Sequence, residues 1–181
     1  MIRKASENDI AAVAAIYEHI HDNEEAGRVC IGWVRGVYPT AETARAALGR
    51  GELYVYDDGA AVRAAAIINK TQVDCYADCE WGIAADPDKV IVLHTLVVEP
   101  AFSGRGVATE FVAFYEALGS EWGCTVARMD TNAKNTAARA LYAKLGYREA
   151  GAVPCVFNGI PGVSLVCLEK QLAARCGGGA R

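Results

Sequence analysis

The stretch Val97-Val98-Glu99-Pro100-Ala101-Phe102-Ser103-Gly104-Arg105-Gly106-Val107-Ala108 joins an apolar strand to a helix through a glycine loop. Gly104 and Gly106 allow a tight turn and a close approach of backbone to a ligand. The first free N–H groups of the helix, from about Val107, then point at whatever negative group sits there, and a phosphate or pyrophosphate is the natural guest. Loops of this composition also occur as plain turns, so the meaning of this one depends on the rest of the chain.

The segment Asp130-Thr131-Asn132-Ala133-Lys134-Asn135 followed by Thr136-Ala137-Ala138-Arg139-Ala140-Leu141-Tyr142-Ala143-Lys144-Leu145-Gly146-Tyr147 reads as a strand end, a polar loop, a short helix and a glycine stop. Asn135 sits at the helix mouth and Gly146 halts it. At about 100° per residue, Asn135, Ala138 and Tyr142 return to one side, which offers an amide, a small residue and a phenol. Tyr142 and Leu145 also fit the packed face of an ordinary amphipathic helix.

Together the two segments resemble the GNAT superfamily of acyl-CoA-dependent N-acetyltransferases. Leu96-Val97-Val98-Glu99-Pro100 followed by Ser103-Gly104-Arg105-Gly106-Val107-Ala108-Thr109 looks like the strand and pyrophosphate loop of that superfamily. Asn135, Ala138, Tyr142, Gly146 and Tyr147 look like its second cofactor motif, N-x-x-A-x-x-x-Y-x-x-x-G-[FY]. Ile2-Arg3-Lys4-Ala5 and Asn8-Asp9-Ile10 resemble its first strand and helix, so the likeness spans residues 2 to about 170. The loop usually begins with Arg or Gln, and Ser103 in that place removes one charged or amide contact to the cofactor. The resemblance implies an α/β (α+β) fold, in which helices flank a mixed, mostly antiparallel central sheet. A splayed central strand pair would form the acyl-CoA cleft.

Length and composition fit this reading. With 181 residues the chain is long enough for one domain that buries roughly 70% of its unfolded surface. A single domain over 1–172 with a flexible tail at 173–181, around Cys176-Gly177-Gly178-Gly179, is expected. The net charge of −4 and the absence of a Lys/Arg stripe interleaved with aromatics argue against nucleic acid as a partner and agree with a cationic amine acceptor. There is no charged-then-apolar leader and no apolar run near the ~20 residues of a membrane helix, so no membrane association and a cytoplasmic location are expected, with a homodimer left open. The seven cysteines are scattered and expected to be reduced. Cys75-x3-Cys79 lacks a second pair at suitable spacing, so no metal is expected.

Periodicity gives a mixed order of elements. Ile10, Val13, Ala14, Ile16, Tyr17 and Ile20 mark an amphipathic helix, and Pro39-Thr40 starts a second that ends near Gly49. Strands are expected at 53–56 and 61–68, joined at Asp57-Asp58-Gly59. The nearly unbroken apolar run 90–98 predicts a central strand covered on both faces. A helix over 107–122 and strands over 125–129, 148–153 and 163–169 complete the list, with no internal repeat.

The chemistry implied by the resemblance is direct attack of a primary amine, on a small molecule or a peptide, at the thioester of acetyl-CoA in a ternary complex. In the superfamily the oxyanion is met largely by strand N–H groups, here those of Leu96, Val97 and Val98. Tyr142 matches the general acid, and its phenol is expected to supply the proton to the departing thiolate. An amine of pKa ~10.4 must first lose a proton, which calls for a base or a water path. Asp130, at the end of the strand before Asn135, is one candidate and equally a loop cap. His94 is the other: it shares a strand side with Leu96 and Val98 if no bulge intervenes, though such a histidine also serves as a neutral core residue. Glu80 and Trp81, with Trp33 and Tyr38, are expected to line the acceptor pocket.

Two other classes compete. A dinucleotide-binding oxidoreductase would use Gly104 and Gly106 as its phosphate turn and Asp130 as its ribose partner. Against it, five residues separate Val98 from Gly104, and Thr109 stands at the third glycine position. A non-catalytic acyl-CoA sensor is the other alternative, given Ser103 and the two rival bases.

Overall fold

The computed structural model describes residues 1–173. Of the tail expected at 173–181, all but Ala173 lies outside them.

The chain begins with strand β1 (Ile2–Lys4) and the helices α1 (Ile10–Glu25) and α2 (Ala41–Gly49). Thr40 and Thr43 cap α2 reciprocally: each hydroxyl accepts the other's backbone N–H, at 3.4 and 3.0 Å. Strands β2 (Leu53–Asp57) and β3 (Val62–Asn69) form the expected hairpin, and the apolar run becomes β4 (Val90–Val98). There follow α3 (Val107–Glu121), β5 (Val126–Asn132), α4 (Thr136–Lys144), β6 (Arg148–Phe157) and β7 (Ile160–Gln171). The seven strands make one sheet in the order β1-β2-β3-β4-β5-β7-β6. Only β4 and β5 pair in parallel, because α3 carries the chain back between them. This is the mostly antiparallel, helix-flanked α/β sheet that the resemblance implied.

Alternation along β4 explains its apolar run. Ile91 and Leu93 pack with Phe111 and Tyr115 of α3, whereas Val97 packs with Val13 and Tyr17 of α1. Both faces of the strand are covered, so neither needs polar residues.

Three strands exceed their expected ends. β5 continues to Asn132 because β7 pairs Asp130, Thr131 and Asn132 with Cys167, Val166 and Leu165. β6 and β7 meet at Phe157 and Ile160 across Asn158-Gly159, whose φ angles of 49° and 80° are both left-handed. Asn-Gly between two apolar residues is the signature of a two-residue hairpin turn, and it accounts for this extension.

Residues 70–89 hold no strand and are tied to the sheet by polar contacts. The N–H groups of Gly82 and Ile83 donate to the Glu169 carboxylate at 2.9 and 3.1 Å. Arg128 donates to the Ile83 carbonyl at 3.0 Å, and its guanidinium lies 4.0 Å over the Trp81 ring. Glu169 also contacts Arg148, so the buried charges of Arg128 and Glu169 each have partners. Among the described residues no helix is long and apolar enough to cross a membrane, and the six cysteines are free thiols.

Candidate active site

β4 and β5 are paired from Val90 and Val126 as far as Leu93 and Met129, after which they diverge, although β4 continues to Val98 and β5 to Asn132. The wedge between them opens into a cavity of about 920 Å³ lined from both faces of the sheet. A bulge accompanies the divergence. His94 pairs with Ile67 and Val97 with Ala65, so Thr95 and Leu96 together oppose Ala66, and Thr95 takes a left-handed φ of 51°. The Thr95 hydroxyl meets the Tyr38 hydroxyl.

The bulge overturns one expectation. Leu96 and Val98 pack toward the α3 core, but His94, opposite Ile67, stands on the α1 and α2 face. An extra residue inverts strand alternation, so His94 does not share a side with them. Its Nε2 lies 3.0 Å from Asn69 Oδ1, and burial lowers its pKa to about 4. His94 touches the cavity as a neutral imidazole.

At the glycine-loop end, Ser103, Gly104 and Ala108 line the wall together with Leu96, Val97 and Val98. Gly104 and Gly106 have φ of 77° and 82°, and no atom lies within 4 Å of where a Cβ on either would stand. No side chain caps α3, so its first-turn N–H groups remain open. The loop backbone is thus both conformationally demanding and unobstructed, as an anion cradle requires. Glu99 N–H donates to the Arg63 carbonyl at 2.7 Å, so by strand alternation the N–H of Val98 turns toward the wedge. The remaining loop residues lie off the wall. Val107 is buried and anchors the helix, Thr109 is exposed, and the Arg105 guanidinium lies 4.5 Å from the centre of the Phe102 ring, which Arg63 also covers at 4.1 Å. That stack brings cationic charge to the loop that begins with Ser103.

α4 supplies the neighbouring wall through Asn135, Ala138 and Tyr142. The Asn135 side-chain oxygen accepts the Ala138 N–H at 3.2 Å, which caps α4 and fixes the amide. Tyr142 is 7% exposed and meets Tyr147 edge-on at 6.1 Å. Burial, and secondarily the Asp130 charge, push its phenol pKa well above the ordinary value. The two motif segments, distant in sequence, converge on one cavity.

Asp130, Trp33 and Tyr38 also line the cavity. Asp130 accepts a hydrogen bond from the Tyr76 hydroxyl at 2.8 Å, and burial raises its pKa to about 7 against the lowering effect of that bond. Trp33 and Tyr38 meet edge-on at 6.0 Å. Glu80 and Trp81 are not on the cavity wall. The Trp81 indole donates to the Tyr76 carbonyl at 2.9 Å and its ring sits beneath Arg128, so it pins the 70–89 segment to the sheet, and Glu80 is exposed. Phe157, Asn158 and Ile160 at the β6–β7 turn take the places expected of them. Only the Asn158-Gly159 turn signal pointed there; Tyr76 had no local signal, because its partner is 54 residues away.

Comparison with known proteins agrees with this geometry. The family described as "Acetyltransferase (GNAT) family" matches residues 13–147. Aminoglycoside N(6')-acetyltransferase type 1 of Salmonella typhimurium is 32% identical over 68 residues, which cover 38% of this chain and 47% of that protein. The match thus spans about half the length of that curated relative. Among solved structures, a GNAT-family acetyltransferase of Listeria monocytogenes superposes with a TM-score of 0.71 at 24% identity, covering 95% of this chain and 94% of that one. Salmonella typhimurium yncA, solved with acetyl-CoA, superposes at 0.67 with 18% identity, covering 100% and 98% of the two chains.

Proposed function

The chain belongs to the GNAT acetyltransferase family, and from that premise we propose that it moves an acetyl group from acetyl-CoA to a primary amine by direct attack in a ternary complex. The observation that carries the reading is one cavity between the diverging β4 and β5, lined by residues at an open helix N-terminus, by Tyr142 and by Asp130. The loop from Ser103 and the first turn of α3 hold the pyrophosphate of CoA, and Asn135 and Ala138 flank its pantetheine arm. The acetyl-CoA held by the similar yncA fold supports this cofactor.

The amine nitrogen attacks the thioester carbon, and the N–C bond forms as charge gathers on oxygen. The Val98 N–H, aimed into the wedge, meets that oxyanion; a preorganised donor of this kind contributes roughly 2.7–4 kcal/mol. Collapse breaks the C–S bond. Full proton transfer from a phenol to a thiolate of pKa ~8.5 is uphill, and the burial of Tyr142 steepens it. Tyr142 therefore acts by donating a hydrogen bond to sulfur as its charge develops, and the thiolate is protonated on release. Of the two rival bases, Asp130 is the better placed. A carboxyl with a pKa of about 7 is poised to take the amine proton near neutral pH, directly or through water, whereas an imidazole near 4 is a poor acceptor.

The test is release of CoA thiol from acetyl-CoA with a panel of amines. Tyr142→Phe lowers kcat roughly 100-fold with CoA affinity little changed, and Asp130→Asn removes the acidic limb of kcat/KM near pH 7. Full activity in both variants would sink the assignment.

A further inference from the structure

The acceptor end of the cavity is roofed. Glu24 binds the loop at 26–40 from below, accepting the N–H groups of Ile31 and Gly32 at 2.6 and 2.9 Å. A Cβ on Gly32 would stand 2.3 Å from the Asn132 side-chain nitrogen, and one on Gly159 would stand 3.4 Å from Val37 Cγ1. The loop therefore touches both the end of β5 and the tip of the β6–β7 hairpin. Trp33, Tyr38 and Phe157 line the space below these contacts. A polypeptide running through would have to part them, whereas a compact molecule fits beneath.

Charge narrows the acceptor further. Among the described residues on the cavity wall, Asp130 is the one carboxylate, and the formal cations are Arg28 and Arg50. One ammonium has a partner there. Arg50 is held by Glu52 at 2.7 Å, so that carboxylate is already engaged and a second ammonium would lack an acid of its own; an unpaired buried charge is costly. Aromatic rings, by contrast, attract a single cation and pack well against a flat apolar body.

Resting on the acetyl transfer proposed above, we infer that the acceptor is a compact monoamine with an apolar, ring-bearing body, of the arylalkylamine class. Its nitrogen lies toward Asp130 and its ring against Trp33, Tyr38 and Phe157. The roof excludes a protein chain, and the charge count disfavours polyamines and aminoglycosides. The reaction balances as before: N–C forms, C–S breaks, the ammonium proton leaves through Asp130, and CoA departs as a thiol.

The experiment compares kcat/KM of the full chain for phenethylamine and tryptamine with that for spermidine and kanamycin, alongside the thermal shift produced by CoA. Arylalkylamines are favoured by about ten-fold or more, the scale on which a pocket rejects a mismatched group. Trp33→Ala raises the KM for phenethylamine by about ten-fold and leaves the KM for acetyl-CoA within about two-fold, and Trp33→Phe restores most of the loss. Equal or better turnover of spermidine or kanamycin overturns the inference. So does CoA stabilisation without arylalkylamine turnover, or a Trp33→Ala variant with unchanged KM. Failure of the underlying acetyl-transfer reading looks different: no thermal shift with CoA and no thiol release with any amine.

Discussion

Asp130 is a carboxyl kept where solvation is poor, and it must ionise to act as a base. Burial raises its pKa from the ordinary 3.8 to about 7, and the Tyr76 hydroxyl limits the rise. The same shift has a stability consequence of fixed sign. Between about pH 4 and pH 7 the folded protein holds a proton that the unfolded chain has lost, so stability falls as pH rises through this window and the loss is complete above it. Asp130→Asn removes the titrating group while keeping an acceptor for Tyr76. The variant is therefore expected to gain Tm relative to wild type at pH 8 and to show little gain at pH 4, while its acetyl transfer is lost. Parallel Tm curves for the two proteins across that range would refute a raised Asp130 pKa. A proposed base that destabilises its own fold fits the usual trade between activity and stability.

At the scale of elements, the segment at 70–89 has no strand pairing and depends on Glu169 of β7. That carboxylate is 0% exposed and accepts two backbone N–H groups besides contacting Arg148. Glu169→Ala leaves these donors without a partner and costs about 2–4 kcal/mol, measurable by urea denaturation. A loss below about 1 kcal/mol would mean that water replaces the carboxylate at no penalty. Trp81, expected at the acceptor site, belongs to this fastening and reports on it through its fluorescence. The segment in turn carries Tyr76, on a short 3-10 helix at Asp74–Asp78, to Asp130, so an element without strand pairing contributes to the environment of the proposed base.

For the molecule as a whole, a cofactor that binds only the folded form stabilises it by mass action. CoA at 100 times its dissociation constant contributes about 2.7 kcal/mol, which for a chain of this size raises Tm by roughly 5–10 °C. Gly106→Val is expected to lose this rise. The left-handed φ of 82° imposes some strain on valine, so its fold is checked separately by circular dichroism. A folded Gly106→Val variant that still gains Tm with CoA would move the pyrophosphate site away from the α3 N-terminus.

The glycine loop, the start of α3, the Asn135 cap and the face shared by Ala138 and Tyr142 were determined by sequence, because each depends on backbone geometry within a few residues. The apolar run of β4 likewise announced a strand covered on both sides. Tertiary structure alone sets the different surroundings of His94 and Asp130. The bulge at Thr95 arises from the pairing of β4 with β3, and it turns His94 to the other face, where burial keeps it neutral. Asp130 owes its raised pKa to burial, and the hydroxyl of a tyrosine 54 residues away limits the rise. Trp81 went to the fastening and Phe157 to the cavity for the same reason: contacts between distant segments depend on register and packing, which no local spacing encodes.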